Sequence, residues 1–191
     1  MSKGKLFAIS GASGVGKSTV LAKVMAARKD LRFSVSATTR PPRPGEAEGV
    51  NYFFVTREKF EDMIAHGAFL EYDAHEGNYY GTPLAQLEEK QKKSHVILDI
   101  EPNGAFNLRR KMPDAVLIFI MPPSREELER RLRSRGDTSE EQIAMRLHRA
   151  QWEMDQSVHY DYVVVNDQVD ACADEILRII AEKAQDLDGG I

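Results

Sequence analysis

The octapeptide GASGVGKS at residues 11–18 matches the pattern G-x-x-x-x-G-K-[ST], between the apolar run KLFAIS (5–10) and a stretch of helical periodicity. A buried strand leading into this loop and a helix leaving it form the context in which the pattern binds phosphate. Without that context, a glycine turn followed by a surface lysine explains it. Gly11, Gly14 and Gly16 let the backbone wrap closely around phosphate oxygens. The exposed N–H groups of this loop, which also holds Ala12, Ser13 and Val15, add positive potential together with the helix N-terminus. Lys17 is placed to reach β- and γ-phosphates, the Ser18 hydroxyl suits Mg²⁺, and Thr19 completes the cradle. A strand–loop–helix unit of this kind commits the chain to an α/β architecture. It leaves the chemistry open, since GTPases, ATPases, kinases and pure binders share it.

The rest of the chain supplies partners for that unit. HVILDI (95–100), AVLIFIM (115–121) and YVVV (162–165) are continuous apolar runs, as strands buried on both faces require. Helical patterns alternate with them. Lys17 to Arg28 carries Val20, Leu21, Val24 and Met25 on one face. Thr82 and Pro83 suit N-cap and N1 of a helix to Lys93, and Asp170 opens a last amphipathic helix to about Gln185. Capping boxes are expected at Ser124 with Glu127 and at Thr138 with Glu141. Between residues 33 and 82 the alternation fails: FSVSATT (33–39), NYFFV (51–55), FLEYDA and GNYYGT read as strands. One helix, N-capped by Thr56 and stopped at Gly67, interrupts them. The expected fold is therefore an α/β parallel sheet with an inserted mixed-β lobe.

Bulk properties exclude several classes. The chain has 191 residues, enough for one domain with inserted lobes. Its net charge of -4 argues against a general nucleic-acid binder. No apolar run approaches the roughly 20 residues that span a bilayer, and MSKGKLFAIS is too short in apolar residues for a signal peptide. Cys172, the single cysteine, excludes an intramolecular disulfide and suits a reducing cytoplasm. The five histidines lack zinc-ligand spacing.

Two further features call for a second ligand. Arg40 and Arg43 sit on a loop stiffened by Pro41, Pro42 and Pro44. Alone, that is a solvated connection. Beside a phosphate loop it is a candidate clamp, because guanidinium forks match phosphate oxygens bidentately. Tyr52, Tyr72, Tyr79 and Tyr80 crowd the same region, with Glu71 among them. A carboxylate pairs with the N1–H and exocyclic amino edge of guanine, whereas adenine offers no such double donor. Read alone, Glu71 fits a solvated strand charge better. Asp99, closing HVILDI, stands where P-loop proteins often keep a carboxylate for the metal, and capping the next turn explains it equally well.

Together, "ISGASGVGKST", "SVSATTRPPRPGEAEGVNYFF", "FLEYDAHEGNYYGTP", "RLRSRGDTSEEQIAMRL" and "YDYVVVND" resemble guanylate kinase over essentially the whole chain. The resemblance implies a P-loop parallel-sheet core flanked by helices (1–32, 83–124 and 156–191), a nucleoside-monophosphate-binding lobe (33–82) and a helical lid (about 125–155). It implies Mg²⁺-dependent phosphoryl transfer from ATP to GMP, small-molecule substrates and a cytoplasmic setting, with no nucleic acid or membrane. By the same resemblance Arg40, Arg43, Tyr52 and Tyr80 hold the GMP phosphate, and Glu71 reads guanine with Ser36 and Thr82 nearby. Glu101, beside Pro102, stands where the family usually has an aspartate, and the resemblance assigns it a contact with the GMP base. Arg131, Arg135 and Arg146 are assigned to the lid, and Asn166 and Asp167 to the neighbourhood of adenine. Glutamates four residues earlier account for Arg130, Arg131 and Arg133 as surface pairs; Arg135 and Arg146 lack that explanation. Two rivals stand beside this reading. A non-catalytic binding module of the same fold predicts an eroded P-loop and missing lid arginines, and a sugar-phosphate kinase predicts no Glu71–tyrosine lobe.

Overall fold

The computed structural model describes residues 3–75, 77–134 and 139–184. Its centre is a parallel sheet of five strands: β1 (Leu6–Gly11), β2 (Leu31–Phe33), β7 (His95–Asp99), β8 (Val116–Met121) and β9 (Tyr162–Val165). The order is β2-β7-β1-β8-β9. Alternation along these strands divides the core into two layers. Phe7, Ile9, Ile97, Ile118 and Ile120 face one cluster, packed with Val20 and Val24 of α1 (Lys17–Ala27) and Ile176 and Ile180 of α7 (Val169–Lys183). Leu6, Ala8, Val96, Leu98, Leu117 and Phe119 face the other, under Leu87 of α3 (Leu84–Gln91) and Leu108 of α4 (Pro102–Lys111). Each fully buried side chain of this size contributes about 1.5–3 kcal/mol, so both helical layers are bound firmly to the sheet.

The second sheet is mixed, with order β4-β3-β6-β5. It contains β3 (Ala37–Thr38), β4 (Phe53–Phe54), β5 (Phe69–His75) and β6 (Asn78–Pro83). β3 runs parallel to β4 and antiparallel to β6, and β5 is antiparallel to β6. A small separate core holds it to α2 (Arg57–Ala65): Phe60 stacks on Phe69 at 4.3 Å and on Tyr79 at 5.2 Å. The expected α/β core with an inserted mixed sheet is what the chain adopts.

Three local expectations are corrected. The run 33–39 is not one strand. Phe33 pairs with Ile97 in the central sheet, Ser34 N–H still donates to Ile97 O at 2.8 Å, and the chain then crosses to pair Ala37 with Gly81. Two sheets share this run, so its apolar pattern reads as continuous. Thr82 and Pro83 do not open α3 by capping; both lie in β6, and Pro83 precedes the helix without a side-chain cap. The Thr82 hydroxyl is used elsewhere, on Glu71. The N-cap of α6 (Glu140–Asp155) is Ser139, which forms the capping box with Gln142, one residue on from the expected pair. Thr138 itself lies outside the described residues, as does Gln185. Thr56 caps α2 by accepting Lys59 N–H, and Ser124 caps α5 (Arg125–Arg133) by accepting Glu127 N–H. Cys172 is buried in α7. Among the described residues no helix is long and apolar enough to cross a membrane.

Candidate active site

The glycine loop leaves β1 at the centre of the sheet, where the neighbouring strands β7 and β8 arrive from opposite sides, and ligands in open α/β sheets bind at such points. Gly14 (φ 87°) and Gly16 (φ 91°) adopt the left-handed conformation that only glycine enters cheaply. At Gly14 space also forbids a side chain, since a Cβ would stand 2.5 Å from Leu132 Cδ2. The loop is held from behind: Asn166 Nδ2 donates to Val15 O at 2.8 Å, and Arg131 donates to Asn166 O at 2.9 Å and Val15 O at 3.3 Å. Arg131 also pairs with Glu127 as expected, so it is both a surface pair and a brace on the loop. Arg130 pairs with the same Glu127 rather than with Glu126, and these two guanidiniums hold that carboxyl down at about 2.

A cleft of about 410 Å³ runs along Gly11–Thr19, with Arg43, Glu101, Arg146, Arg149 and Glu153 on its walls. Arg146 thus faces the loop. Arg135 lies outside the described residues. Asn166 and Asp167 do not line this cleft; they stand behind the loop, in contact with Arg131.

A second cavity, about 180 Å³, opens between the two sheets. Lys17, Ser36, Tyr52, Glu71, Asp73, Tyr80, Asp99 and Glu101 line it. The two cavities share Lys17 and Glu101. Arg40 and Arg43 line an adjoining groove with Ser18, Ser36, Tyr52 and Asp99. Arg40 donates to Glu46 at 2.8 Å and lies 5.4 Å from the Tyr52 ring centroid. Glu46 also accepts Arg43 N–H at 2.7 Å, so one carboxylate fixes both ends of the proline-stiffened loop. Tyr72 and Tyr79 are not in this group: Tyr79 packs on Phe60, and Tyr72 is exposed against Phe69.

Electrostatics single out two groups. Lys17 is ion-paired with Asp99. Burial opposes its charge, but the carboxylates of Asp99 and Glu101 outweigh burial and raise its pKa, so it stays an ammonium. Glu71 is buried, and burial pushes its carboxyl up against the hydrogen bond from Thr82, which pulls it down. Its other oxygen faces Gly104 so closely that a Cβ there would stand 2.7 Å from Oε2. A buried carboxylate and a permanent cation on the walls of one cavity suit a ligand that carries both hydrogen-bond donors and negative charge. Among the described residues no group of three or more His, Cys, Asp or Glu side chains is placed to hold a metal by itself.

Sequence reasoning missed Arg149, Glu153 and Glu46. Arg149 has Met145 four residues before it, so the test that set Arg135 and Arg146 apart applies to it equally. Glu153 carried only its i,i+4 spacing to Arg149, which reads as an ordinary helix pair; its other partner, Ser13 N–H at 2.7 Å, is 140 residues away.

The family model described as guanylate kinase matches residues 3–183. A guanylate kinase of Prochlorococcus marinus subsp. pastoris is 47% identical over 177 residues, covering 92% of this chain and 96% of that one. One from Thermus thermophilus is 49% identical over 179 residues, covering 93% and 81%. The crystal structure of guanylate kinase from Anaplasma phagocytophilum superposes with a TM-score of 0.80 at 36% identity, covering 96% of this chain and 88% of that one.

Proposed function

The chain belongs to the guanylate kinase family and is a kinase, and from that premise we propose that it transfers the γ-phosphoryl group of ATP to the phosphate of GMP. The observation that carries this reading is a cavity whose walls include both Lys17 and the buried Glu71. Glu71 reads the guanine N1–H and amino group, with Ser36 beside it and Thr82 behind. Tyr52, Tyr80, Arg40 and Arg43 take the GMP phosphate, with Arg40 exchanging Glu46 for phosphate oxygens. ATP lies along Gly11–Thr19 with its γ-phosphate at Lys17, near Arg146. Arg131 acts from behind the loop, and Arg135 is proposed for the lid by family likeness alone. Asn166 and Asp167 set the adenine side of the site from the same position.

Phosphoryl transfer asks the protein mainly for position and charge stabilisation. The GMP phosphate is already an anionic nucleophile, so no general base is needed. Lys17 remains charged throughout and offsets the charge on the transferred group and its leaving oxygen. Ser18 and Asp99 share one groove wall, and a hydroxyl with a carboxylate is the oxygen donor set that suits Mg²⁺ on a nucleotide. The ion would neutralise phosphate charge. Lid closure over both nucleotides would exclude water and suppress ATP hydrolysis.

On this reading residues 33–82 form the GMP lobe and about 125–155 the lid, on a core of 1–32, 83–124 and 156–191, except that Phe33 belongs to the core sheet. The setting that fits the single buried thiol is the cytoplasm. The test is product identity. Incubation with GMP and Mg²⁺ATP should yield GDP and ADP in equal amounts, whereas ADP and free phosphate alone would exclude the transfer.

A further inference from the structure

Glu153 spends both carboxylate oxygens inward. Its side chain is 1% exposed; Oε2 accepts Ser13 N–H at 2.7 Å, and Oε1 accepts Arg149 Nε at 2.6 Å. The same guanidinium lies 3.3 Å from Glu101 Oε2 through NH2. Glu101 is the N-cap residue of α4 and borders both cavities. The phosphate-loop backbone is therefore joined to the wall of the nucleobase cavity through Glu153, Arg149 and Glu101. Ile143 and Ala150 already anchor α6 by apolar burial, so docking the helix does not require two carboxylates around one arginine. Burying the Glu153 carboxylate costs stability, and buried charges are retained for specificity or switching in the attested cases, while Arg149 and Glu101 remain part-exposed at 29% and 42%.

We propose that Arg149 is a positioning residue that couples the two nucleotide sites: phosphates on the loop fix Glu153, and through Arg149 they fix Glu101 beside GMP. This rests on the reading of both sites as nucleotide sites. Linkage makes the effect reciprocal, so GMP must favour the ATP-bound loop by the same factor. A lysine cannot replace the arginine, because one ammonium lacks the planar fork that meets two carboxylates at once.

The experiment is titration of GMP into the full chain, with and without Mg²⁺ and the non-hydrolysable β,γ-imido analogue of ATP. The wild type should bind GMP more tightly with the analogue, within the about 5- to 150-fold range of site couplings. Arg149→Ala and Arg149→Lys should each bring that ratio close to one. In an E101Q background, Arg149→Lys should change the ratio no further, since both substitutions break one contact. A folded Arg149→Lys protein with the wild-type ratio overturns the proposal, and it does so even if the alanine variant does not fold. Additive losses with E101Q also overturn it, as does a wild type that binds both nucleotides without coupling. A wild type that binds neither nucleotide instead refutes the functional reading beneath it.

Discussion

The Thr82 hydroxyl donates to Glu71 Oε1 at 2.5 Å, giving the buried carboxylate one fixed partner on the neighbouring strand. Glutamine at position 71 can keep that contact through its own carbonyl while presenting an amide donor to a donor edge. Glu71→Gln should therefore lose GMP efficiency by about 1–3 kcal/mol, the range for a bidentate base contact. The free protein should respond in the opposite sense. Burial raises the Glu71 carboxyl, so the folded state holds its proton more tightly than the unfolded chain does, and wild-type stability falls as pH rises past the ordinary carboxylate value. Melting in mildly alkaline buffer should show the variant more stable than wild type, with the gap closing at acid pH. A variant with full GMP efficiency would remove Glu71 from the base site.

Lys17 and Asp99 form an ion pair whose members are only 16% and 30% exposed at the side chain. Lys17→Ala should lower turnover by at least about 10²–10³-fold, the cost of losing one preorganised charge donor. Asp99 keeps access to water, so the melting temperature should change little. Steady-state kinetics with parallel melting check this. Near-normal turnover in a folded variant would end the assignment of the loop.

Much of this site was legible because its signals are local. The glycine loop carries its meaning within a few residues, whereas Asp99 and the Pro/Arg loop, ambiguous alone, gain theirs only beside it. Helix starts were harder. At residues 138–139 a threonine and a serine stand side by side, and both can cap. The split at Ser34–Ser36 was illegible because either sheet alone would accept the same apolar alternation. Arg149 and Glu153 stand i,i+4 and so read as an ordinary surface pair; what spacing cannot reach is the second contact each makes, with Glu101 and Ser13, 48 and 140 residues away.

Gly14 tests the tightness of the loop. Alanine there would hold a left-handed φ and force its Cβ against Leu132 on α5. Gly14→Ala should cost about 1–3 kcal/mol of stability from backbone strain and raise the Michaelis constant for ATP. Denaturant unfolding beside ATP kinetics measures both. An unchanged midpoint would mean that the loop relaxes freely, contrary to its packing.

Trp152, the only tryptophan, is 42% exposed on α6 and reports on that helix. On the proposed reading lid arginines gain phosphate partners only with both nucleotides bound, so a bisubstrate analogue should change its emission more than ATP alone. Small-angle scattering under the same conditions should show a smaller radius of gyration. An unchanged radius with saturating bisubstrate analogue would contradict closure.

The most direct test of the account is ADP release from Mg²⁺ATP with GMP, AMP, UMP and CMP as alternative acceptors. A site that hydrogen-bonds its substrate's donors rejects analogues lacking them by up to about 10⁴–10⁵-fold, because its buried acceptor is left unpaired. With Glu71 as that acceptor, kcat/KM for GMP should exceed that for AMP by at least about 10²-fold, with the pyrimidine nucleotides lower still. Equal rates with AMP and GMP, or no GMP-dependent ADP release, would contradict it.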